Sequence, residues 1–388
     1  MNAPAGRNAP AAGPLRGIVV VELGHSVAAP CAGLVLGDLG ADVIKIEKPG
    51  GDDARKWGPP FLDGASATFQ AINRNKRSVV CELRDPAQRA RLIDFIVRHA
   101  DIVLQNLRPG QADEVGVGAA ALLALKPSLI YCNIGAFGAR GPLAGRPGYD
   151  PLMQAFGGIM SIVGEEGRPP VRVAPSIVDQ GTALWGVVGI LSALYSRRDT
   201  GKGGVVDVSL FETAATWMVM HAAQYLGSGD LPARHGSGAN GIVPYRAYRT
   251  KDGDLVVAAG NDGLFRKLCE VLGFNWHDDS RFKTNPDRVK HAGLLYQLIE
   301  TEMLKKTNSE WSALLDTAGV PCAPVQNVKQ MLECEQMQAL GLLQDVPGSS
   351  QPLIGLPISF DNERPLPRSA SPALGAHTHE VLGGDSRT

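Results

Sequence analysis

Short runs of β-branched residues alternate with longer stretches of helical apolar spacing through the first half of this chain. That alternation narrows its fold more than any other feature. Gly17–Gly24 reads as a buried strand, Ala28–Leu39 as a helix of small and apolar residues, and Ala41–Glu47 as a second strand. Further strands are expected at Ser78–Leu83, Asp101–Gln105 and Leu129–Asn133. A helix is expected over Pro86–His99, where Leu92, Ile93, Ile96 and Val97 share one face behind an N-terminal proline. Such alternation builds a mostly parallel sheet, and ligands of these sheets bind beyond the carboxyl ends of the strands. The fold class is therefore α/β.

Helices are expected at Gln154–Val163, Val178–Arg198 and Glu212–Leu226, with a strand at Val205–Leu210 between the last two. The character then changes. Residues 227–241 form a loop in which Gly236, Gly238 and Gly241 lie close together. A hairpin around Lys251-Asp-Gly253 spans Tyr248–Ala259, and helices follow at Leu264–Leu272, His291–Leu304 and Ser309–Ala318. This pattern predicts a leader over 1–14, a large Rossmann-like α/β domain over 15–226, a small α+β domain over 227–324, and a C-terminal segment over 325–388. The leader is rich in Ala, Pro and Gly and lacks an apolar centre, so it reads as disordered rather than as a signal peptide.

Charge balance excludes some function classes. The 38 Lys and Arg residues against 39 Asp and Glu give a net charge of -1, which provides no bulk attraction to nucleic acid or to a membrane surface. No window approaches the ~20 apolar residues of a membrane span. The six cysteines form no C-x-x-C pair, as expected of thiols in a reducing, cytoplasmic setting. The histidines show no metal-ligand spacing, and no G-x-S-x-G elbow is present. Gly37-Asp-Leu-Gly40 lacks the third glycine of a dinucleotide fingerprint.

Several polar positions remain as candidates. Asp179 falls where an extended stretch, Val171–Pro175, gives way to a long helix. There the helix dipole and free N–H groups are expected to keep a carboxylate ionised and aimed, ready for nucleophilic attack; an ordinary N-cap explains the same position. Tyr149 and Asp150 follow a loop containing Arg146. The phenol suits a developing oxyanion and Arg146 suits phosphate or carboxylate, although a turn with a buried tyrosine reads equally well. The basic run Asn73–Arg77, with Lys45, Lys48, Arg84 and Arg108 near other strand ends, offers cations for a phosphorylated cofactor or simply a solvated surface.

The order of these segments resembles the class III CoA-transferase family, which includes formyl-CoA transferase, carnitine CoA-transferase and α-methylacyl-CoA racemase. The resemblance runs from about Leu15 to Leu382. It is carried by Leu15-Arg-Gly-Ile18 with Glu22-Leu23, Gly37–Glu47, Asn75-Lys-Arg-Ser78, Asn106–Gly110, Gly148-Tyr-Asp150, Thr200-Gly-Lys-Gly203, Gly319–Val325 and Leu374–Thr378. It implies an interlocked homodimer whose large domain is completed by the C-terminal segment. It also implies catalysis by Asp179 with Tyr149 and Asp150, through an aspartyl-CoA thioester. Coenzyme A is implied as co-substrate, with no permanently bound cofactor and no metal. Its contacts are implied at His25, Ser26, Val27, Ala28, Lys48, Arg84, Asn106, Arg108 and Arg146, beneath a mobile loop at Gly236, Gly238 and Gly241. Some transferases carry Arg where this chain has Glu114.

Acyl-CoA and carboxylic-acid substrates are implied, with succinyl-CoA as donor and a small dicarboxylic acid as acceptor. Arg146, Arg172 and Arg246 are candidates for a second carboxylate. Two other readings stay open: an acyl-CoA racemase or epimerase, and a non-catalytic CoA-binding protein. Racemases of the family have His where this chain has Tyr149, a poor base near neutral pH.

Overall fold

The computed structural model describes residues 13–383; all but the last two residues of the expected leader lie outside that range. Six parallel strands form the main sheet: β1 (Val19–Leu23), β2 (Asp42–Glu47), β3 (Lys76–Val80), β4 (Ile102–Gln105), β5 (Ile130–Gly135) and β6 (Gly204–Ser209). Their order is β3-β2-β1-β4-β5-β6. The chain therefore winds one way from β1 to β3 and the other way from β4 to β6. The reversal lies between β1 and β4, where loops diverge and leave a crevice for a ligand.

Local chemistry explains the elements. In β1, Val20, Val21 and Leu23 are buried, as expected of a strand covered on both faces. Helix α1 (Ala28–Asp38) packs small residues against the sheet. A Cβ at Gly33 would stand 1.9 Å from Glu22 Oε2, so glycine there is a requirement of close approach. Helix α2 (Pro86–His99) begins where the sequence places it. Asp85 caps it by accepting from Ala87 and Gln88, and it buries Leu92 and Ile96. Strand β3 starts two residues before the expected Ser78, because Lys76 belongs to the strand and turns its ammonium inward.

Three helices frame the polar candidates. They are α3 (Asp150–Phe156), α4 (Ile177–Thr200) and α5 (Leu210–Trp217). The first starts four residues before the expected Gln154. By length and apolarity alone α4 could cross a membrane, against the expectation of no such window. Here it packs against α1, β5, β6 and α5, and Thr182 Oγ1 bonds both Val178 O at 2.7 Å and Thr213 Oγ1 at 2.8 Å.

The chain divides into two compact units. The first takes the described residues up to Ile159, Val173–Val219 and the described residues from Glu335 onward; the second takes Met160–Arg172 and Met220–Cys334. From Glu335 on, the chain packs with the sheet-bearing unit: Arg368 donates to Gly37 O and Ala41 O, and Val80 N–H donates to Thr378. The second unit carries an antiparallel three-stranded sheet of Tyr245–Arg249, Asp254–Ala258 and Cys322–Pro324, including the expected hairpin. Helices Asp262–Leu272, Ala292–Met303 and Asn308–Ala318 bury Phe265, Leu295, Ile299 and Trp311 beside it. Met160–Arg172 joins this unit because Gly236 N–H donates to Gly164 O and Arg234 donates to Ser161 O and Arg168 O.

Candidate active site

The crevice at the strand reversal is a cleft of about 630 Å³, walled by the segments after β1, β2, β3 and β4. His25, Lys48, Arg84, Arg108 and Tyr149 all line it, so five candidates scattered over 125 residues of sequence meet in one place. Glu114 lines it too. Lys48 holds Asp53 at 2.8 Å on the surface, a pair worth at most about 1 kcal/mol and readily exchanged for a phosphate. Arg146 does not line this cleft and is exposed.

The loop entering α1 is fixed from behind. Asn106 accepts from His25 N–H and donates to His25 O, both at 2.9 Å. Asp52 Oδ1 accepts from Ser26 N–H at 3.1 Å and from Ala54 N–H at 3.0 Å. Ser26 takes a left-handed conformation (φ 66°), uncommon for a residue with a Cβ. Burial pushes the His25 imidazole below its ordinary pKa, against the pull of Asp52, which favours the neutral ring. Asn106 and Ser26 thus shape the loop. Val27 is the N-cap of α1 and makes no side-chain cap, while Ala28 is buried.

The basic run was expected to offer cations to a ligand; the fold uses most of it internally. Arg74 pairs with Asp38 at 2.5 Å, and Arg77 bridges Asp42 and Glu380 at 2.8 and 3.0 Å. Lys76 holds Glu22 at 2.8 Å. Lys45 lies between Glu22 at 3.0 Å and Asp52 at 2.9 Å. Both lysines are buried, and a buried charge must be paired. Lys45 Nζ also donates to Gly24 O at 2.8 Å, which ties this network to the cleft loop.

Asp179 is the third helical residue of α4 and is half-buried. The expectation that the helix terminus keeps it ionised is overturned. Asp150 Oδ2 takes the N–H groups of Val178 at 2.8 Å and Asp179 at 3.1 Å. Burial, and then the Asp150 carboxylate, push Asp179 up to about 7. Asp179 is not the N-cap either; that position is Ser176, which makes no side-chain cap bond. Asp150 is buried and its second oxygen accepts from Gln154 at 2.5 Å, so it supports Asp179 rather than facing a substrate. Tyr149, the N-cap of α3, is exposed and lines the cleft, while the next residue reaches the first turn of α4.

Gly236, Gly238 and Gly241 lie in the second unit, as do Arg172 and Arg246. Gly236 and Gly241 have positive φ, and Gly241 O accepts from Asn285. Arg246 stacks on Tyr296 at 4.8 Å.

The sequence pattern of CoA-transferase family III matches residues 15–378. The chain belongs to that family. This class III CoA-transferase is 39% identical over 385 residues to a protein of Agrobacterium fabrum named succinate–glutarate CoA-transferase, covering 95% of both chains. It is 33% identical over 374 residues to the succinyl-CoA:glutarate CoA-transferase of Mus musculus, covering 95% of this chain and 86% of that one. A solved structure of a CAIB/BAIF family protein from Brucella suis superposes with a TM-score of 0.87 at 38% identity, covering 96% of this chain and 99% of the other. The transferase names favour CoA transfer over racemisation and over a non-catalytic role.

Sequence reasoning passed over Asp52 and Gln154. Asp52 left a trace in Gly51-Asp-Asp53 directly after β2, where strand-end carboxylates meet ligand loops. Gln154 left none, because its partners are four residues back along the helix and 19 residues ahead.

Proposed function

We propose that this transferase moves CoA from succinyl-CoA to a small dicarboxylic acid, with glutarate the leading acceptor, through covalent chemistry at Asp179. The observation that carries this reading is 39% identity over 95% of both chains to the succinate–glutarate enzyme. A half-buried carboxyl in the first turn of α4 supports it. An Asp179 oxygen attacks the thioester carbonyl, the C–S bond breaks, and CoA leaves as thiolate. The thiolate attacks the aspartyl carbonyl of the mixed anhydride, releasing succinate and leaving an aspartyl-CoA thioester. The acceptor carboxylate then attacks that thioester, and the same two steps in reverse give the new acyl-CoA and free Asp179. No ATP is consumed, because each step conserves an activated acyl group. Water must be kept from both intermediates.

His25, Lys48, Arg84 and Arg108 supply the contacts for CoA, with its phosphates beside the three cations. Tyr149 steadies the developing oxyanion, and the glycine-rich loop around Gly236–Gly241 serves as a mobile loop. The enzyme works as an interlocked homodimer in the cytoplasm; exposed Leu184, Trp185 and Val188 on α4 give a second copy an apolar surface to bury.

Mass spectrometry after mixing with succinyl-CoA tests the reading. A CoA-sized adduct on Asp179, cleaved by hydroxylamine and passed on to glutarate, is the expected result. Full turnover with Asp179→Ala would remove that residue from the chemistry.

A further inference from the structure

The side chain best placed to set the position of Asp179 is Gln154, which is fully buried on α3. Its Oε1 accepts from Val173 N–H at 2.8 Å, and its Nε2 donates to Val173 O at 3.1 Å. This two-way pairing imitates a neighbouring strand and clamps the extended segment that leads into α4. The same Nε2 reaches Asp150 Oδ1 at 2.5 Å, while Asp150 Oδ2 holds the N–H groups of Val178 and Asp179. One amide therefore holds both approaches to the first turn of α4: the incoming backbone directly, and the helix terminus through Asp150.

Contacts on its other side brace α3. Phe156 on α3 packs edge-on against Phe137 at 5.2 Å and Phe211 at 5.3 Å between centroids. A Cβ at Gly157 would lie 2.5 Å from Ala214 Cβ, so α3 and α5 are in close contact. A clamp on such an element can hold a reacting carboxyl to a fraction of an ångström, and displacements of about 1 Å cost on the order of 100-fold in rate.

From this geometry we infer that Gln154 is a positioning residue for the transfer reaction, fixing Asp179 through Val173 and Asp150. The inference rests on the assignment of Asp179 as nucleophile. Gln154 touches no substrate. Its loss acts on the chemical step and leaves the CoA cleft, which it does not line, unchanged. The titratable groups around Asp179 are Asp150 on α3 and Cys31 on α1, with Lys76 and Glu22 behind Cys31.

The test compares wild type with Gln154→Met and Gln154→Glu in the full-length protein. It reads kcat, KM for succinyl-CoA, the rate of adduct formation at Asp179, and thermal unfolding. For Gln154→Met, kcat and the labelling rate fall together by about 10–100-fold, with KM within about twofold of wild type. Gln154→Glu keeps the acceptor for Val173 but can donate to Asp150 only when protonated. Its kcat relative to wild type rises as pH falls from 8 to 6, which a merely structural role does not produce and which decides the case if Gln154→Met does not fold. A folded Gln154→Met with kcat within about threefold of wild type, or a flat ratio for Gln154→Glu, overturns the inference. An absent adduct in wild type is a different failure, that of the nucleophile assignment itself.

Discussion

Asp150 Oδ2 accepts the backbone N–H of Asp179 at 3.1 Å, so the terminus of α4 is neutralised by a carboxylate from another helix. Burial first, and then the buried negative charge of Asp150 beside it, raise the Asp179 carboxyl to about 7. Ionising this carboxyl is therefore costly, which makes it the more reactive in the attack proposed above.

Stability carries the first signature. The folded chain holds the Asp179 proton up to about pH 7, whereas an unfolded Asp releases it near 3.8. Stability contributed by this group is therefore greatest below 3.8, falls as pH rises through the window from 3.8 to about 7, and stays low above it. The gap is worth on the order of 4 kcal/mol at most. Asp179→Asn, which never carries the charge, should unfold at a higher temperature than wild type at pH 8, and the difference should vanish near pH 4. Equal melting temperatures at pH 8 would show that Asp179 ionises there without penalty.

Reaction rate carries the second. Only the carboxylate attacks, so the rate of adduct formation from succinyl-CoA should rise with pH through a midpoint near 7. Removing the neighbouring charge with Asp150→Asn should move that midpoint toward lower pH, though not to 3.8, because burial remains the larger cause. Stopped-flow or quenched-flow labelling between pH 5 and 9 measures both. An unmoved midpoint assigns the titration to another group.

Affinity for CoA belongs to the cleft. Arg84→Ala and Arg108→Ala should each raise KM for succinyl-CoA about tenfold, equivalent to ~1.4 kcal/mol, with kcat little changed. Glu114 places a negative charge in the same cleft. Glu114→Arg should therefore lower KM several-fold at low salt, with the gain fading as salt is added. A KM unchanged at 20 mM salt would place the CoA phosphates elsewhere.

Much of this was legible in the sequence, and the limits have physical causes. Parallel strands buried on both faces write themselves as β-branched runs, so β1, β2 and β4 were found to within a residue or two. Strand order was not written, yet it creates the crevice between β1 and β4. The pairing of Gln154 with Val173 depends on tertiary approach and leaves no local pattern. Lys45, in the middle of Asp42–Glu47, and Glu22, within Val19–Leu23, were visible as lone charges in buried strands. Such charges need partners, and that reading would have placed Lys45 inside rather than at a ligand. Asp179 was singled out through its place in the family's motif order; its elevated pKa depends on burial and on the approach of Asp150 to α4, both of which only the fold reveals.

The buried network gives the last prediction. Glu22 and Asp52 carry two negative charges, and Lys45 and Lys76 carry two positive ones, paired in a chain Lys76–Glu22–Lys45–Asp52. Lys76→Met leaves one uncompensated buried anion and Glu22→Gln one uncompensated cation, and each should cost about 3–5 kcal/mol. The double variant restores neutrality, because Lys45 keeps Asp52. Its loss should be smaller than the sum of the two single losses by more than about 1 kcal/mol. Urea unfolding at one fixed protein concentration measures the three differences. Because Lys45 holds Gly24 O and Asp52 holds Ser26 N–H, the single variants should also raise KM for the CoA substrate more than the double does. Strict additivity would mean that the four side chains act as independent pairs, and the loop then depends on Asp52 and Asn106 alone.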